Sequence, residues 1–558
     1  LMVALSFFGA AGALARGENI GIAFFLERMK PGLRRIIEAT GCALVMVTSA
    51  FIAVYALQLA AQTAGQTTGS GLPLDYSFYP IGIAGICMSI FALDRLMLVR
   101  WVYAGAGVVT VGGVAAGWYV WDYLNPDSVP DPKTLMLAAF VVCLVAGMPI
   151  GFVLALSALV FIWVDQSVPG VIFAQQMARG IDNFVLLAIP FFILIGYLME
   201  ANGMSVRLIE ALERLVGRLR GGLNVVMVLS MVIFSGISGS KMADVAAVGS
   251  VLVPAARRAR QNAGGAVALL AASAVMAETI PPCINLIILG FVANMSIGGL
   301  FMAGLLPAGL MALALIGVAI TFGSRAPLSE QDAKPSTPLP QLLAGAAVTL
   351  GMIVIIFGGF RSGFATATEI SAFGALYALV VGGIAFREFR IRAAADVFVR
   401  SATRAGLVLF IVAAAQSLAF VLTLEQIPHA LAEFMVGLSG ASGSWVFLLL
   451  SIAILVVMGS VLEGAAALII FGPLLVPVAG QLGISPFHYG VVLVIAMGIG
   501  LFAPPLGLGL YGACLIGGVP IEVTIKPMLG YLGLLMLCLL VIAFVPPIAL
   551  WLPHALGY

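Results

Sequence analysis

The sequence predicts an all-α polytopic membrane protein with an internal repeat. Of its 558 residues, 62% are apolar and only 9% are Asp, Glu, Lys or Arg, against roughly 25% charged residues in an ordinary soluble domain. So few polar side chains cannot cover the outside of soluble cores of this total length. Long apolar runs recur along the chain, and two motifs recur at one spacing. The composition excludes a soluble enzyme, a nucleic-acid binder and a disordered scaffold.

Residues 1–100 are predicted to form a small N-terminal module. They open with about fifteen apolar residues, fewer than the roughly 20 that a membrane span needs, so we expect the end of a span whose beginning is missing. The basic loop 16–35 favours the cytoplasmic side under the positive-inside rule, and two spans follow it. A further apolar stretch at 101–121 and an acidic loop, which suits the outer face, occupy residues 101–133.

Residues 134–558 are predicted to form a large module of two matching halves. A polar linker at 324–341 separates a half at about 134–323 from a half at about 342–558. Prolines and small residues shape helices in a membrane, so they are the landmarks by which the two halves can be matched.

The two halves carry the same landmarks at one offset. Pro254 and Pro477 lie 223 positions apart, and so do Pro281 and Pro504, which each open a Pro-Pro pair. A small-residue turn precedes these landmarks in each half. Landmarks of two types at one spacing indicate an internal repeat.

Flanking charge predicts that the repeats are inverted. The first small-residue turn lies between arginine-rich segments and the second between segments without Lys or Arg, so they should enter the membrane from opposite sides. An odd number of spans must then separate the acidic outer loop from the arginine-rich stretch, but two apolar runs, 135–164 and 184–200, lie there. Either the first run is irregular where Gly147-Met148-Pro149 interrupts it, or the membrane side assigned to one of the two loops is wrong.

Two re-entrant helical hairpins are predicted, with tips at Ser238-Gly239-Ser240 and Gly459-Ser460. Small hydroxylated residues supply oxygen atoms and backbone N–H groups at a tip. They also permit close helix approach, which is the purely structural interpretation.

Two broken helices are predicted at Pro281-Pro282 and Pro504-Pro505. Each proline removes a backbone donor and frees a carbonyl of the preceding turn, which a bilayer tolerates only where protein or a water-lined cavity satisfies it. Freed carbonyls suit a hard cation such as sodium, and half-helix N-termini suit a carboxylate. Ordinary proline kinks are the alternative, but two kinks at matched repeat positions favour a site.

Four ionisable residues lie near the predicted tips and breaks. Lys241 and Asp244 have an i,i+3 spacing, so they either neutralise each other or take part in function, with Lys241 meeting a substrate carboxylate. Glu278 and Glu463 are each either a cation or proton ligand or a buried hydrogen-bonded acid. The predicted substrate-binding residues are Lys241, Asp244, Asn285 and Ser460.

No cofactor or transition metal is expected. Six cysteines are scattered without CxxC spacing and three histidines are far apart, and no GxxxxGK[ST] motif points to ATP as a direct energy source. An intramembrane enzyme would need a clustered Ser/His or His/Asp constellation, so we predict that the protein is not an enzyme. Broken helices in inverted repeats favour alternating access over a channel.

Five segments carry a family resemblance: LLAIPFFILIGYLME, GGLNVVMVLSMVIFSGISGS, ETIPPCIN, SIGGLFMAGLLPAGL and GIGLFAPPLGLGLYGACLIGGV. With their surroundings, from residue 134 to the C-terminus, they resemble the large membrane subunit of tripartite ATP-independent periplasmic (TRAP) transporters. Residues 1–100 resemble the small membrane subunit, without its first span and fused to the large one. The resemblance implies a permease of the bacterial inner membrane, surrounded by lipid, in which an elevator-type transport domain moves against a scaffold. It also implies sodium-coupled uptake of an organic acid that a periplasmic substrate-binding protein delivers, with no ATPase subunit and no nucleic acid.

The resemblance implies two sets of ion-binding residues, assigned by position. One set joins the first hairpin tip to the second broken helix, and the other joins the second hairpin to the first broken helix. The first set is Ser238, Gly239, Ser240, Gly500, Ala503, Pro504, Pro505 and Gly507, and the second is Gly459, Glu463, Gly464, Pro281, Pro282 and Cys283.

Four positions depart from the pattern of the family. Lys241 and Asp244 differ from the small hydroxylated residues common after the first tip, which suggests an unusual substrate. Ala503 stands where a threonine is usual, and Cys283 stands where a serine is usual. The last two changes remove a hydroxyl, and a thiol is a poor ligand for a hard cation. The number and identity of the coupling ions therefore stay open, and a stand-alone carboxylate carrier driven by sodium or protons, without a binding protein, is the alternative function.

Overall fold

The computed structural model describes most of the chain: residues 1–17, 29–69, 71–124, 131–217, 219–323, 339–362, 365–386, 391–439, 443–504 and 507–558. Within these ranges the regular structure is helical, apart from one isolated β-bridge between Thr67 and Pro73. Eleven of the described helices are long and apolar enough to cross a membrane. An α-helix satisfies its backbone groups internally, which is what a lipid environment demands. The prediction of an all-α polytopic membrane protein is confirmed.

The chain forms two compact units, of which the first comprises residues 1–183 and 402–430. Small residues bring its helices together: a Cβ on Gly85 would lie 2.9 Å from the backbone nitrogen of Ala53. The helices before residue 184 are α1 (Met2–Arg16), α2 (Pro31–Gln62), α3 (Tyr79–Leu98), α4 (Trp101–Leu124), α5 (Pro132–Val145), α6 (Ile150–Asp165) and α7 (Val171–Arg179).

The apolar run at 135–164 consists of two short helices rather than one span. Helix α5 ends at Val145, and Gly147 adopts a positive φ of 74°, a conformation that glycine reaches without a steric penalty. Helix α6 then begins at Ile150 after Pro149, and it packs against α5. The irregularity predicted at Gly147-Met148-Pro149 is confirmed.

The second unit comprises residues 184–401 and 431–558. This division follows contacts in space, whereas the predicted modules at 1–100 and 134–558 describe sequence relationship. The remaining helices are α8 (Ala188–Ala201), α9 (Met204–Val216), α10 (Gly222–Ser238), α11 (Lys241–Arg258), α12 (Ala263–Ala277), α13 (Ile284–Val292), α14 (Ile297–Phe322), α15 (Leu339–Ser362), α16 (Ala367–Tyr377), α17 (Gly383–Phe386), α18 (Ile391–Leu424), α19 (Ile427–Ser439), α20 (Ser444–Val461), α21 (Gly464–Gln481), α22 (Pro486–Phe502), α23 (Leu508–Gly517), α24 (Ile521–Phe544) and α25 (Pro547–Ala555).

The helices of the two halves recur at one spacing. Helix α11 runs from 241 to 258 and α21 from 464 to 481, so both ends lie 223 positions apart. The same offset relates both ends of α9, at 204 and 216, to those of α19, at 427 and 439. The order of helices is therefore repeated, and a residue of one half has a structural counterpart 223 positions later.

Candidate functional site

Two helical hairpins and two interrupted helices of the second unit form the candidate site. The first hairpin is α10 with α11, and the second is α20 with α21. The first break separates α12 from α13, and the second break separates α22 from α23. Each hairpin packs against both interrupted helices: α11 contacts α12 and α23, and α21 contacts α13 and α22.

The first hairpin turns where the sequence predicts, at Ser238, Gly239 and Ser240. Gly239 has a φ of 64°, which suits a residue without a side chain. A Cβ on Gly239 would lie 2.9 Å from the carbonyl oxygen of Pro282. The first tip is therefore seated against the first break.

The second hairpin turns at Leu462 and Glu463, so the prediction of a tip at Gly459-Ser460 is wrong. Both predicted tip residues belong to α20, which continues to Val461. The Ser460 hydroxyl donates to the Val457 carbonyl oxygen at 2.7 Å, within the same helix. Glu463 is the N-cap residue of α21, and the repeat offset makes it the counterpart of Ser240.

Gly459 serves close helix packing instead of a turn. A Cβ on Gly459 would lie 2.5 Å from the carbonyl oxygen of Met497, and one on Gly500 would lie 2.3 Å from that of Val456. The two glycines thus let the backbones of α20 and α22 touch. Close helix approach was the purely structural interpretation of these small residues.

The first break spans the six residues Glu278 to Cys283, as predicted from the Pro-Pro pair. Helix α12 ends at Ala277, and its carbonyl oxygen accepts a hydrogen bond of 2.7 Å from Ser235 of the first hairpin. The Pro281–Pro282 peptide bond is cis. Cys283 is the N-cap residue of α13. Every residue of the break is buried.

The second break lies at its predicted position between Phe502 and Leu508. Ala503 follows α22 directly, and the N–H of Gly507 donates to its carbonyl oxygen at 2.9 Å. Pro504 lies in a turn. Pro505 lies outside the described residues.

A charge cluster, which we call the Lys241 cluster, links the first hairpin to the first break. The Lys241 ammonium forms an ion pair with Oε2 of Glu278, and the Asn285 amide donates to the same oxygen at 2.8 Å. The Ser238 hydroxyl donates to Oδ1 of Asp244. Both carboxyl side chains are buried. Lys241 thus pairs with a glutamate of the break, and the predicted alternative of an ion pair with Asp244 at i,i+3 is not the arrangement found.

Two carboxylate oxygens of the cluster are buried without a hydrogen-bond partner. They are Oδ2 of Asp244 and Oε1 of Glu278. A buried acceptor without a donor is costly, so each of these oxygens lacks a hydrogen bond that burial normally requires. Glu278 fits the predicted alternative of a buried, hydrogen-bonded acid.

Asn285 connects the first break to the second hairpin. A Cβ on Gly464, the first residue of α21, would lie 2.6 Å from Nδ2 of Asn285. Two of the predicted site residues therefore touch at the junction of the first break and the second hairpin.

The first hairpin also meets the second interrupted helix. Arg257, near the end of α11, donates from Nη2 to the carbonyl oxygens of Gly517 and Gly518 at 2.6 and 2.7 Å. These carbonyls belong to the last residue and the C-cap of α23, and a cation is favourable at the C-terminal end of a helix. The sequence analysis missed this contact, because the arginines that flank the first turn served there only to assign a side of the membrane.

A second feature that the sequence did not indicate is a cavity of about 430 Å³ among helix ends of the second unit. Phe184, Ser296, Phe360, Thr366 and Tyr558 are among its lining residues. Thr366 caps α16 in a capping box with Glu369. The lining residues come from loops and helix ends that are far apart in sequence, so no local pattern predicts them.

Comparison with known proteins identifies relatives of both parts of the chain. The family model described as "Tripartite ATP-independent periplasmic transporter, DctM component" matches residues 137–548, and the model of the DctQ component of these transporters matches residues 1–102. The sialic acid TRAP transporter large permease protein SiaM of Vibrio cholerae is 34% identical over 416 residues, which cover 74% of this chain and 97% of that protein. The isethionate TRAP transporter permease protein DctMQ of Oleidesulfovibrio alaskensis is 31% identical over 80% of this chain and 69% of its own length.

Solved structures show a similar fold. The Neisseria gonorrhoeae transporter MtrF, titled as illuminating a class of antimetabolite efflux pumps, superposes with a TM-score of 0.53 over 76% of this chain and 96% of its own. Its sequence identity is 15%, so the likeness concerns the fold alone.

Proposed function

The chain belongs to the tripartite ATP-independent periplasmic (TRAP) transporter family and carries both membrane components, and on this basis we propose a sodium-coupled permease for an organic acid. A periplasmic substrate-binding protein delivers the acid to the permease in the bacterial inner membrane. Relatives named for sialic acid, C4-dicarboxylates and 2,3-diketo-L-gulonate support an acidic substrate. The protein acts as a transporter and not as an enzyme.

The observation that carries this proposal is the meeting of two hairpins with two interrupted helices. Interrupted helices leave backbone carbonyls and N–H groups free inside a membrane, where only a cavity or neighbouring protein satisfies them. Transporters use such half-helix ends to hold a substrate carboxylate and coupling cations. The hairpins then re-enter the membrane, and together with the interrupted helices they form a transport domain that moves past a scaffold as an elevator.

Sodium binding is best supported at the first of the two sites, between the first tip and the second break. The buried, unpartnered Oδ2 of Asp244 lies in the hairpin that supplies Ser238 and Ser240. Met242, which follows Lys241 in the same hairpin, lies against Gly512 of α23. Carboxylate, hydroxyl and carbonyl oxygens are the ligands that a hard cation prefers.

The substrate carboxylate is proposed to lie beside the Lys241 cluster. Lys241, Asp244 and Asn285 converge there, and the N-termini of α11 and α13 contribute favourable dipoles for an anion. Ser460 is the fourth candidate, and its hydroxyl oxygen can accept a hydrogen bond while donating to Val457.

Reconstitution in liposomes tests the proposal. An inward sodium gradient is imposed, and uptake of a labelled organic-acid mixture is followed with and without the substrate-binding protein encoded beside this chain. Sodium-driven uptake that requires the binding protein is the expected result. Uptake without the binding protein would instead indicate a stand-alone carrier, and uptake driven only by a proton gradient would overturn sodium coupling.

A further inference from the structure

The second candidate ion site, between the first break and the second hairpin, already contains a cation of the chain itself. The Lys241 ammonium is paired with Glu278, and Asn285 donates to the same carboxylate oxygen. The side chains of Lys241 and Glu278 are 12% and 1% exposed. A positive charge that is covalently part of α11 is therefore fixed at the first break.

The break offers a free cation few other side-chain oxygens. Between Glu278 and Asn285, only Thr279 carries a hydroxyl, and this hydroxyl donates to the Met276 carbonyl oxygen at 3.0 Å. Cys283 contributes a thiol, which is a poor ligand for a hard cation. Glu278 is thus the principal side-chain ligand within the break, and its Oε2 is already paired with the Lys241 ammonium.

The ammonium is present in only one of the two repeats. The 223-residue offset between α11 and α21 makes Gly464 the counterpart of Lys241. No side chain fits at Gly464 while Asn285 keeps its place, because a Cβ there would lie 2.6 Å from the amide nitrogen. The single lysine therefore supplies the charge at the point where the first break meets the second hairpin.

We propose that Lys241 is a tethered cation that takes the place of one coupling sodium ion at the first break. The permease then moves one sodium ion fewer per substrate than it would with a neutral residue at position 241. Two like charges in a site that excludes water repel strongly, so sodium and the ammonium do not share Glu278. This inference rests on the sodium coupling of the proposed function.

The test compares the wild-type chain with Lys241→Ala and Lys241→Ser in liposomes. The number of sodium ions per substrate is obtained from the sodium gradient at which net substrate flux reverses. Sodium-specific thermal stabilisation of the purified chain, measured against potassium, is the second readout. Both variants are expected to gain one sodium ion per substrate and a larger sodium-specific shift in melting temperature.

Two further variants serve as controls. Lys526→Ala removes an exposed lysine of α24 and is expected to keep the wild-type sodium count. The double variant Lys241→Ala with Glu278→Gln removes the ammonium together with the carboxylate, so it is expected to gain no sodium-specific stabilisation.

The outcomes separate this inference from the proposed function. An unchanged sodium count in both single variants, with sodium-driven uptake by the wild type, would overturn the tethered cation alone. Failure to recover either single variant in sodium would also overturn it, because sodium should replace the lost charge. If the wild type shows no sodium-driven uptake, the proposed function fails and the inference falls with it, and the thermal shifts of the single variants then show only whether a sodium ion can replace the ammonium at Glu278.

Discussion

At the scale of single residues, Gly464 shows how the absence of a side chain shapes the site. We predict that Gly464→Ala displaces the Asn285 amide, because the new Cβ would lie 2.6 Å from its nitrogen. Asn285 then loses its hydrogen bond to the charged Glu278 carboxylate, at a cost of about 1.5–3 kcal/mol, and we expect substrate uptake to be lost while the chain still folds. Uptake in liposomes and thermal unfolding measure the two effects.

The matched control for Gly464→Ala is Gly480→Ala in the same helix. No atom lies within 4 Å of a Cβ at Gly480, and alanine is favoured over glycine inside a helix by up to about 1 kcal/mol. We expect no loss of uptake in the control. Equal uptake by both variants would contradict the role assigned to Gly464.

Ser238 is predicted to stabilise the first tip through Asp244. In Ser238→Ala, Oδ1 of the buried Asp244 loses its donor, which costs about 1–3 kcal/mol. The melting temperature of the purified chain should fall. The control is Ser250→Ala, which removes an exposed hydroxyl that bonds within the helix that also carries Asp244. This control should leave the melting temperature unchanged. A similar melting temperature for both variants would count against the contact between Ser238 and Asp244.

The sequence pointed to the residues that form the Lys241 cluster but did not predict how they pair. The i,i+3 spacing suggested Lys241 with Asp244, whereas Lys241 reaches Glu278, 37 positions away. A local pattern reports only neighbours on one helix. The pairing across the break depends on how the hairpin is seated, which only the tertiary structure shows.

At the scale of elements, the breaks were predicted correctly and one tip was not. Pro-Pro pairs interrupt a helix for a local reason, since proline lacks the donor and clashes with the preceding turn. Glycine and serine serve both turns and close packing, so Gly459-Ser460 was ambiguous. The structure assigns Gly459 to packing against α22 and places the turn at Leu462 and Glu463.

Arg257 is predicted to hold the end of α23. Its guanidinium donates to two carbonyl oxygens there, and a cation at an exposed helix C-terminus contributes about 0.3–1 kcal/mol. Arg257→Ala should therefore lower the melting temperature and make the end of α23 exchange its amide hydrogens faster. Arg258→Ala, an exposed neighbour, should do neither, and equal exchange in both variants would exclude the capping role.

At the scale of the whole molecule, the proposed ion coupling would depend on a few oxygen ligands. Ala503→Thr adds a hydroxyl at the second break and is predicted to lower the sodium concentration that gives half-maximal uptake. Ala503→Val has nearly the same shape without the hydroxyl, so it should not lower that concentration. A titration of uptake against sodium measures both, and equal shifts would show that side-chain size, not ligation, is responsible.

Membrane class, the fusion of two components and family membership could all be predicted from the sequence. Composition identifies a membrane protein, because 9% charged residues are too few to cover the surface of soluble domains. The family follows from motifs around Pro281 and Pro504, and it is confirmed by matches to both components. The compact units, by contrast, unite residues as distant as 183 and 402, and no local pattern reports such contacts.

Helix α4 has a consequence for how such a gene could arise. It begins at Trp101, where the match to the first component ends at residue 102, and it ends before the match to the second component starts at 137. Its 24 residues extend about 36 Å at about 1.5 Å per residue, enough to cross a hydrocarbon layer of about 30 Å. A crossing segment at such a junction places the start of the second component on the opposite side of the membrane from the end of the first, whereas a polar linker would keep both on one side.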